Sequence, residues 1–230
     1  MPVVIDASTR VKNSGIWFKQ VRGREKFKIV GDIVMRTLPI SFAPHAVRSS
    51  LSPAQTVAVC GDQAWTLGVH LAAQMACEYK QVLYLCGDNR FDPYLVARLA
   101  QSLDESREET LSRILVARAF TAYQLDELIH RLNPEAAFGV VIISGVCTAF
   151  FDEDVTHSDA ARLFYRSLRR LGDLSRGGLA LLLTQSETPK RSKRAYFLTD
   201  LCRFSNVVMR LEGALTFTLE RRRDHLKLAE

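Results

Sequence analysis

The stretch with the most chemical potential is the turn after the apolar run TVAVC, residues 61–68, GDQAWTLG. Where a strand hands over to a helix, backbone amides gather at the helix start and attract anions. A phosphate loop, GxxxxGK[ST], needs glycines so that the backbone can wrap the phosphates, a Lys to neutralise them and a hydroxyl to hold Mg²⁺. With Gly61 as the first glycine, Thr66 stands at the second, Leu67 at the lysine and Gly68 at the hydroxyl. Leu67 cannot neutralise phosphate and Gly68 cannot ligate magnesium, while Trp65 is bulky for a loop that hugs its ligand. Two readings stay open: a plain strand–turn–helix corner, or a residual anion pocket made by helix N-terminal amides alone.

Basic side chains gather in three places. Lys190, Arg191, Lys193 and Arg194 crowd SETPKRSKRAYF (186–197) and are followed by Tyr196 and Phe197. Cations for phosphates beside rings for bases is the composition of a single-strand binding site, and equally of a solvated loop. Arg221, Arg222 and Arg223 form a second cluster that can add to a polyanion site. Arg162, Arg166, Arg169 and Arg170 recur at helical spacing opposite Leu163, Phe164, Leu168 and Leu171, the pattern of a solvated helix face. The segment FFDEDVTHS (150–158) is acidic instead, and its His157 has no helically spaced His or Cys, so it reads as an exposed loop residue and not a metal ligand. Cys60, Cys77, Cys86, Cys147 and Cys202 contain no CxxC pair and sit mostly in apolar runs, as buried reduced thiols do.

The elements that must position these residues follow from hydropathy. From Thr56 onward short apolar runs (TVAVC, QVLYLC, ILVARAF, GVVIIS, LALLLTQ) alternate with helically spaced segments (VHLAAQMACEY, PYLVARLAQSL, AYQLDELIHRL and about 158–174). Strands apolar on both faces and separated by helices predict an α/β fold with a mostly parallel sheet covered on both sides. The end of the chain, VVMRLEG and LTFTLE with RRRD, predicts a C-terminal antiparallel hairpin joined by a basic turn. Residues 1–46 read as an N-terminal extension or arm before the core at 47–230. Pro39 and Pro44 there argue against regular structure.

The whole chain sets bounds. Its 230 residues suit one compact domain with an added segment, and 47% apolar with 24% charged residues excludes both a disordered and a membrane class. No apolar run approaches the roughly 20 residues a bilayer needs, and Met1 to Arg10 lacks the pattern of a signal peptide, which predicts a cytoplasmic protein. A net charge of +6 permits a polyanionic partner without demanding one.

Four segments, in order, carry a family resemblance over about 56–230. VLYLCGDNRFDPYLVARLAQSL resembles the second strand and helix of RecA/RadA-type recombinases and their paralogues. RILVARAFTAYQLDELIHRL is similar to their next unit, GVVIISGVCTAFF to the strand of the second nucleotide motif, and LALLLTQSE to the strand ending in T-Q. The resemblance implies a RecA-like core with damaged chemistry. The family's general-base Glu falls on Asp88, one methylene shorter, the Asp of the second motif falls on Ser144, and the phosphate-sensing glutamine falls on Gln185. Without the lysine, hydroxyl and motif Asp, the metal and its charge stabilisation go too. This implies an inactive ATPase-like fold with no cofactor.

The same resemblance places a DNA-facing loop on Ser186 to Phe197 and another on the acidic Phe150 to Ser158. It also makes Phe42, in SFAPHAV, a candidate anchor laid as a strand onto a neighbouring subunit, although His45 departs from the family's F-x-x-A spacing. The expected function is that of a non-catalytic recombinase paralogue in DNA repair and homologous recombination. Its partners would be single-stranded or double-stranded DNA or a recombinase or paralogue subunit in a hetero- or homo-oligomer, in the cytoplasm at the nucleoid or in a nucleus. The rival is a RecA-like regulator that binds protein and not DNA, similar to SOS-type division inhibitors or mutagenesis accessory proteins.

Overall fold

The runs TVAVC, VLYLC, VVIIS and LLLTQ are buried at every position, which requires cover on both faces of the sheet they form. The computed structural model describes residues 16–20, 26–30, 33–39, 43–78, 81–133, 138–186, 192–212 and 216–222. The strands are β1 (Ile16–Gln20), β2 (Lys26–Val30), β3 (Ile33–Pro39), β4 (Thr56–Cys60), β5 (Val82–Cys86), β6 (Ile114–Arg118), β7 (Val140–Ser144), β8 (Leu181–Gln185), β9 (Val207–Glu212) and β10 (Thr216–Arg222). The helices are α1 (Ala43–Arg48), α2 (Ala64–Glu78), α3 (Pro93–Ser102), α4 (Arg107–Ser112), α5 (Ala122–His130), α6 (His157–Arg176) and α7 (Tyr196–Phe204), with a 3-10 turn over Thr148–Phe151.

One sheet runs β1-β2-β3-β10-β9-β4-β8-β7-β5-β6. From β9 to β6 every pairing is parallel, while β10 lies antiparallel between β9 and β3, and β1 to β3 form an antiparallel meander. The chain is therefore α/β, with a mostly parallel sheet and a C-terminal antiparallel pair, as the alternation predicts. Among the described residues no helix is long and apolar enough to cross a membrane.

The two-residue period of the strands sorts their side chains onto two cores. Val57, Val59, Val82, Tyr84, Ile142 and Leu182 pack with α1 and α2 on one face, and Leu83, Leu85, Val141, Ile143, Leu181 and Leu183 pack with α5, α6 and α7 on the other. Helix starts follow local chemistry. Asp92 caps α3 by accepting from the Tyr94 and Leu95 amides, with Pro93 in its first turn, and the Thr121 and Thr156 hydroxyls cap α5 and α6.

Three expectations need correction. Pro39 closes β3 opposite Thr216 and Pro44 lies in the first turn of α1, both places where a missing amide proton is harmless, so regular structure continues through them. The N-terminal strands join the core's own sheet through β3–β10, so the boundary at 46 divides a continuous sheet. The basic triplet is not the hairpin turn. The link between β9 and β10 is 213–215, and Arg221 and Arg222 end β10 opposite Val34 and Ile33, with Arg223 outside the described residues.

Candidate functional site: the carboxyl edge of the parallel sheet

In an open parallel sheet the ligand crevice lies outside the carboxyl ends of neighbouring strands whose following helices go to opposite faces. Three such places exist here: one lies between β5 and β6, which lead to α3 and α5 on opposite faces, and the other two hold the residues of interest. β4 leads to α2 on one face while its neighbour β8 leads to α7 on the other. β5 likewise leads to α3 while its neighbour β7 leads to the 3-10 turn and α6. The residues that the sequence singles out for nucleotide chemistry lie at the ends of these four strands.

At the first crevice, Gly61 has φ +121, and a Cβ there would meet the Leu211 carbonyl oxygen at 2.8 Å, so only glycine turns this corner beside β9. Its amide donates to the Gln185 carbonyl at 3.0 Å, and the Ala64 amide donates back to the Gly61 carbonyl at 3.0 Å. Helix α2 thus starts three residues after Gly61 and contains Thr66, Leu67 and Gly68. A wrapped phosphate would need the residues between Gly61 and Thr66 as open loop, and here Ala64 and Trp65 are already helical. Leu67 is buried in the core, and Gly68 lies so close to β8 that a Cβ there would meet Thr184 Cγ2 at 3.1 Å. The residues present do not fit a nucleotide with its magnesium, and no hydrolytic step follows from them.

At the second crevice Asp88 and Ser144 meet: the Ser144 hydroxyl donates to Asp88 Oδ2 at 2.8 Å, while Oδ1 accepts from the Arg90 amide at 3.2 Å. Gly145, at φ +67, permits this approach, since a Cβ there would collide with the Asp88 side chain. The carboxylate is oriented by its neighbours. Tyr84 sits beside this pair, and burial, partly offset by Ser144, pushes its phenol well up from its ordinary value. Gln185 is buried, and its amide is engaged by the turn after β7: Oε1 accepts from the Cys147 amide at 2.7 Å and Nε2 donates to Thr148 Oγ1 at 3.3 Å. Gln185 therefore braces two strand ends and does not face an open crevice.

The basic segment is built differently from the single-strand site its composition suggests. The Arg194 guanidinium donates to the carbonyls of Phe150 (2.9 Å), Asp152 and Val155, clamping the acidic segment to the start of α7. Tyr196 lies against Phe197 and His157, its hydroxyl 3.3 Å from His157 Nε2. Phe197 is fully buried against Phe164 with ring centroids 4.4 Å apart, and Phe150 is equally buried. His157 is the first residue of α6, not a loop residue. Lys193 is exposed, and Lys190, Arg191 and Phe42 lie outside the described residues.

Sequence reasoning missed two pairs. Arg166 and Arg170 do not merely solvate a helix face. Arg166 forms a two-pronged ion pair with the fully buried Asp126, and Arg170 donates to the Leu132 carbonyl at 2.6 Å behind α5. Asp126 stands in an otherwise amphipathic helix, and its unfavourable burial is the only signal that a cation from α6 must reach it. Cys60, the last residue of β4, lies 3.7 Å from Cys202 of α7, sulfur to sulfur. No spacing rule links residues so far apart in the chain. No protein-family model matches this chain, and no curated protein compared with it does.

Proposed function

We propose that this chain is a non-catalytic paralogue of the RecA/RadA recombinases that works by binding, as the partner subunit of a recombinase in DNA repair. The family reading rests on order. The four resembling segments fall on β5–α3, β6–α5, β7 and β8 of one parallel sheet, with the degenerate positions at its carboxyl edge. Binding rests on one observation, the edge strand β6. Leu115 and Val116 of β6 are exposed, as are Phe120 just after it (68%) and Tyr123 at the start of α5, and among the described residues no strand lies beyond β6. Sheet edges of this kind are ordinarily blunted by Pro, Lys or a bulge, and an open apolar one is a template for strand addition.

The test is paired. Purified chain should show no ATP turnover, and it should bind a RecA-type recombinase with an affinity that Phe120→Glu lowers at least tenfold. Turnover abolished by Asp88→Ala, or recombinase binding indifferent to Phe120, would overturn the reading.

A regulator that binds protein and not DNA is the second reading, and a specific observation favours it over DNA contact. Arg194 and Tyr196 are held within the fold beside Asp152, Glu153 and Asp154, which repel a phosphate backbone. Reversing Lys190, Arg191 and Lys193 to Glu while keeping Arg194 separates the two. Salt-dependent affinity for single-stranded DNA that falls in this variant marks a DNA contact, because released counterions give the steep salt slope.

A further inference from the structure

We propose that Cys60 and Cys202 form an oxidisable pair, an intramolecular disulfide site made by a hydroperoxide and undone by a thiol reductant. Their sulfurs stand 3.7 Å apart, and both residues are buried among Ala58, Val208 and Leu198. A disulfide requires about 2.05 Å, so side-chain rotation between a strand end and the facing helix is the movement needed. Two thiols alone in an apolar pocket would be inert filling. Here β9 brings Arg210 to the pair, steadied by Glu220 of β10 at 3.2 Å.

The titratable and charged groups facing Cys202 are therefore Cys60 from β4, Cys147 from the turn after β7, Arg210 and Glu220. The hydrogen bond from Cys60, and then Arg210, lower the Cys202 thiol to about 7 against the opposing effects of burial and Glu220. The Cys60 thiol is pushed up, first by donating to Cys202 and then by burial. With Arg210 beside it to hold a thiolate, Cys202 is the sulfur assigned as the nucleophile.

The chemistry balances with one hydroperoxide per bond. The Cys202 thiolate attacks the terminal oxygen of the peroxide, the O–O bond breaks, and the departing oxygen leaves as water (or an alcohol) after taking the proton that Cys202 released. The sulfur of Cys60 then attacks the Cys202 sulfenic acid, the S–O bond breaks, and hydroxide leaves with the Cys60 proton as a second water. Two electrons pass from the pair to the peroxide. The crosslink joins α7, which follows the Lys193–Arg194 segment, to β4, whose next residue is Gly61, so oxidation ties together the two halves of the first crevice.

The full chain, reduced and then treated with hydrogen peroxide, provides the test by thiol counting in denaturant and non-reducing peptide mapping. Five thiols should fall to three, with the Cys60 peptide joined to the Cys202 peptide and freed by dithiothreitol. Thiol loss should quicken as pH rises through about 7. Cys60→Ser should leave Cys202 as a sulfenic acid trapped by dimedone, and Cys202→Ser should slow thiol loss at least tenfold. Five persisting thiols, or a bond that includes Cys77, Cys86 or Cys147, would overturn the assignment, and the map of the unsubstituted chain distinguishes these outcomes even where a variant fails to fold.

Discussion

Arg166 and Asp126 set the energetics of the α5–α6 contact. Asp126 accepts from both prongs of Arg166 and from Ser167 at 2.9 Å, so its charge is compensated although its side chain is inaccessible. Arg166→Ala would leave a buried carboxylate with only Ser167 and His130 nearby. Because the Arg166 side chain is itself half exposed, the expected loss is about 2–4 kcal/mol, toward the lower part of the range for broken buried pairs, read by urea unfolding. At the nucleotide-like corner the prediction concerns rescue. Leu67→Lys with Gly68→Thr restores the missing side chains in name, yet both positions lie inside α2, and the new Cβ at 68 crowds Thr184. The double variant should lose about 1–3 kcal/mol by overpacking and burial of charge and gain no ATP turnover, measured by unfolding and phosphate release. That Leu67, Gly68 and Ser144 cannot supply the charge, hydroxyl and carboxylate of a nucleotide site is legible in the sequence because side-chain type alone decides it. The engagement of Gln185 and Arg194 is not, because both are used up by carbonyls and amides of segments distant in the chain.

Among the elements, β6 shows most clearly what the sheet leaves open. Val82 donates to the Arg113 carbonyl, and the Ala119 amide donates to Cys86. By the two-residue alternation Leu115 and Ala117 turn their backbone groups toward β5, while Ile114, Val116 and Arg118 turn theirs toward the open edge. Proline should therefore discriminate between adjacent positions. Ala117→Pro removes a ladder donor and should cost about 3 kcal/mol or more, whereas Val116→Pro should leave urea stability within about 1 kcal/mol and instead abolish the proposed recombinase binding. Equal destabilisation by both would mean that the β6 register differs. The parallel strands are readable in the sequence because burial on both faces makes them continuous apolar runs. The ends of the chain are harder. A proline has the same appearance as a breaker, as the close of β3 and as the opening of α1, and the arginines of β10 resemble a turn because local charge says nothing about strand register.

For the whole molecule, the consequential fact is that the antiparallel strands of the N-terminal segment and the parallel core share one sheet. β10 meets β3 along seven residue pairs, from Thr216 opposite Pro39 to Arg222 opposite Ile33. An arm appended to a finished core could be removed with little effect. Strands that cover β10 cannot, because their loss opens the full length of a strand whose Phe217 and Leu219 are buried. Deleting residues 1–42 should therefore lower the stability of the remaining chain and drive edge-to-edge association. Light scattering on a sizing column should show concentration-dependent aggregates absent from the full chain, with a lower urea midpoint for the monomer fraction. A deletion product that stays monomeric with an unchanged midpoint would mean that the sheet is complete at β10 and that the first three strands are an accessory. The same deletion removes Phe42 but leaves the β6 edge at the far end of the sheet intact. Recombinase binding that survives in the monomer fraction would then locate the partner contact at β6, and binding that vanishes there would return it to the N-terminal segment.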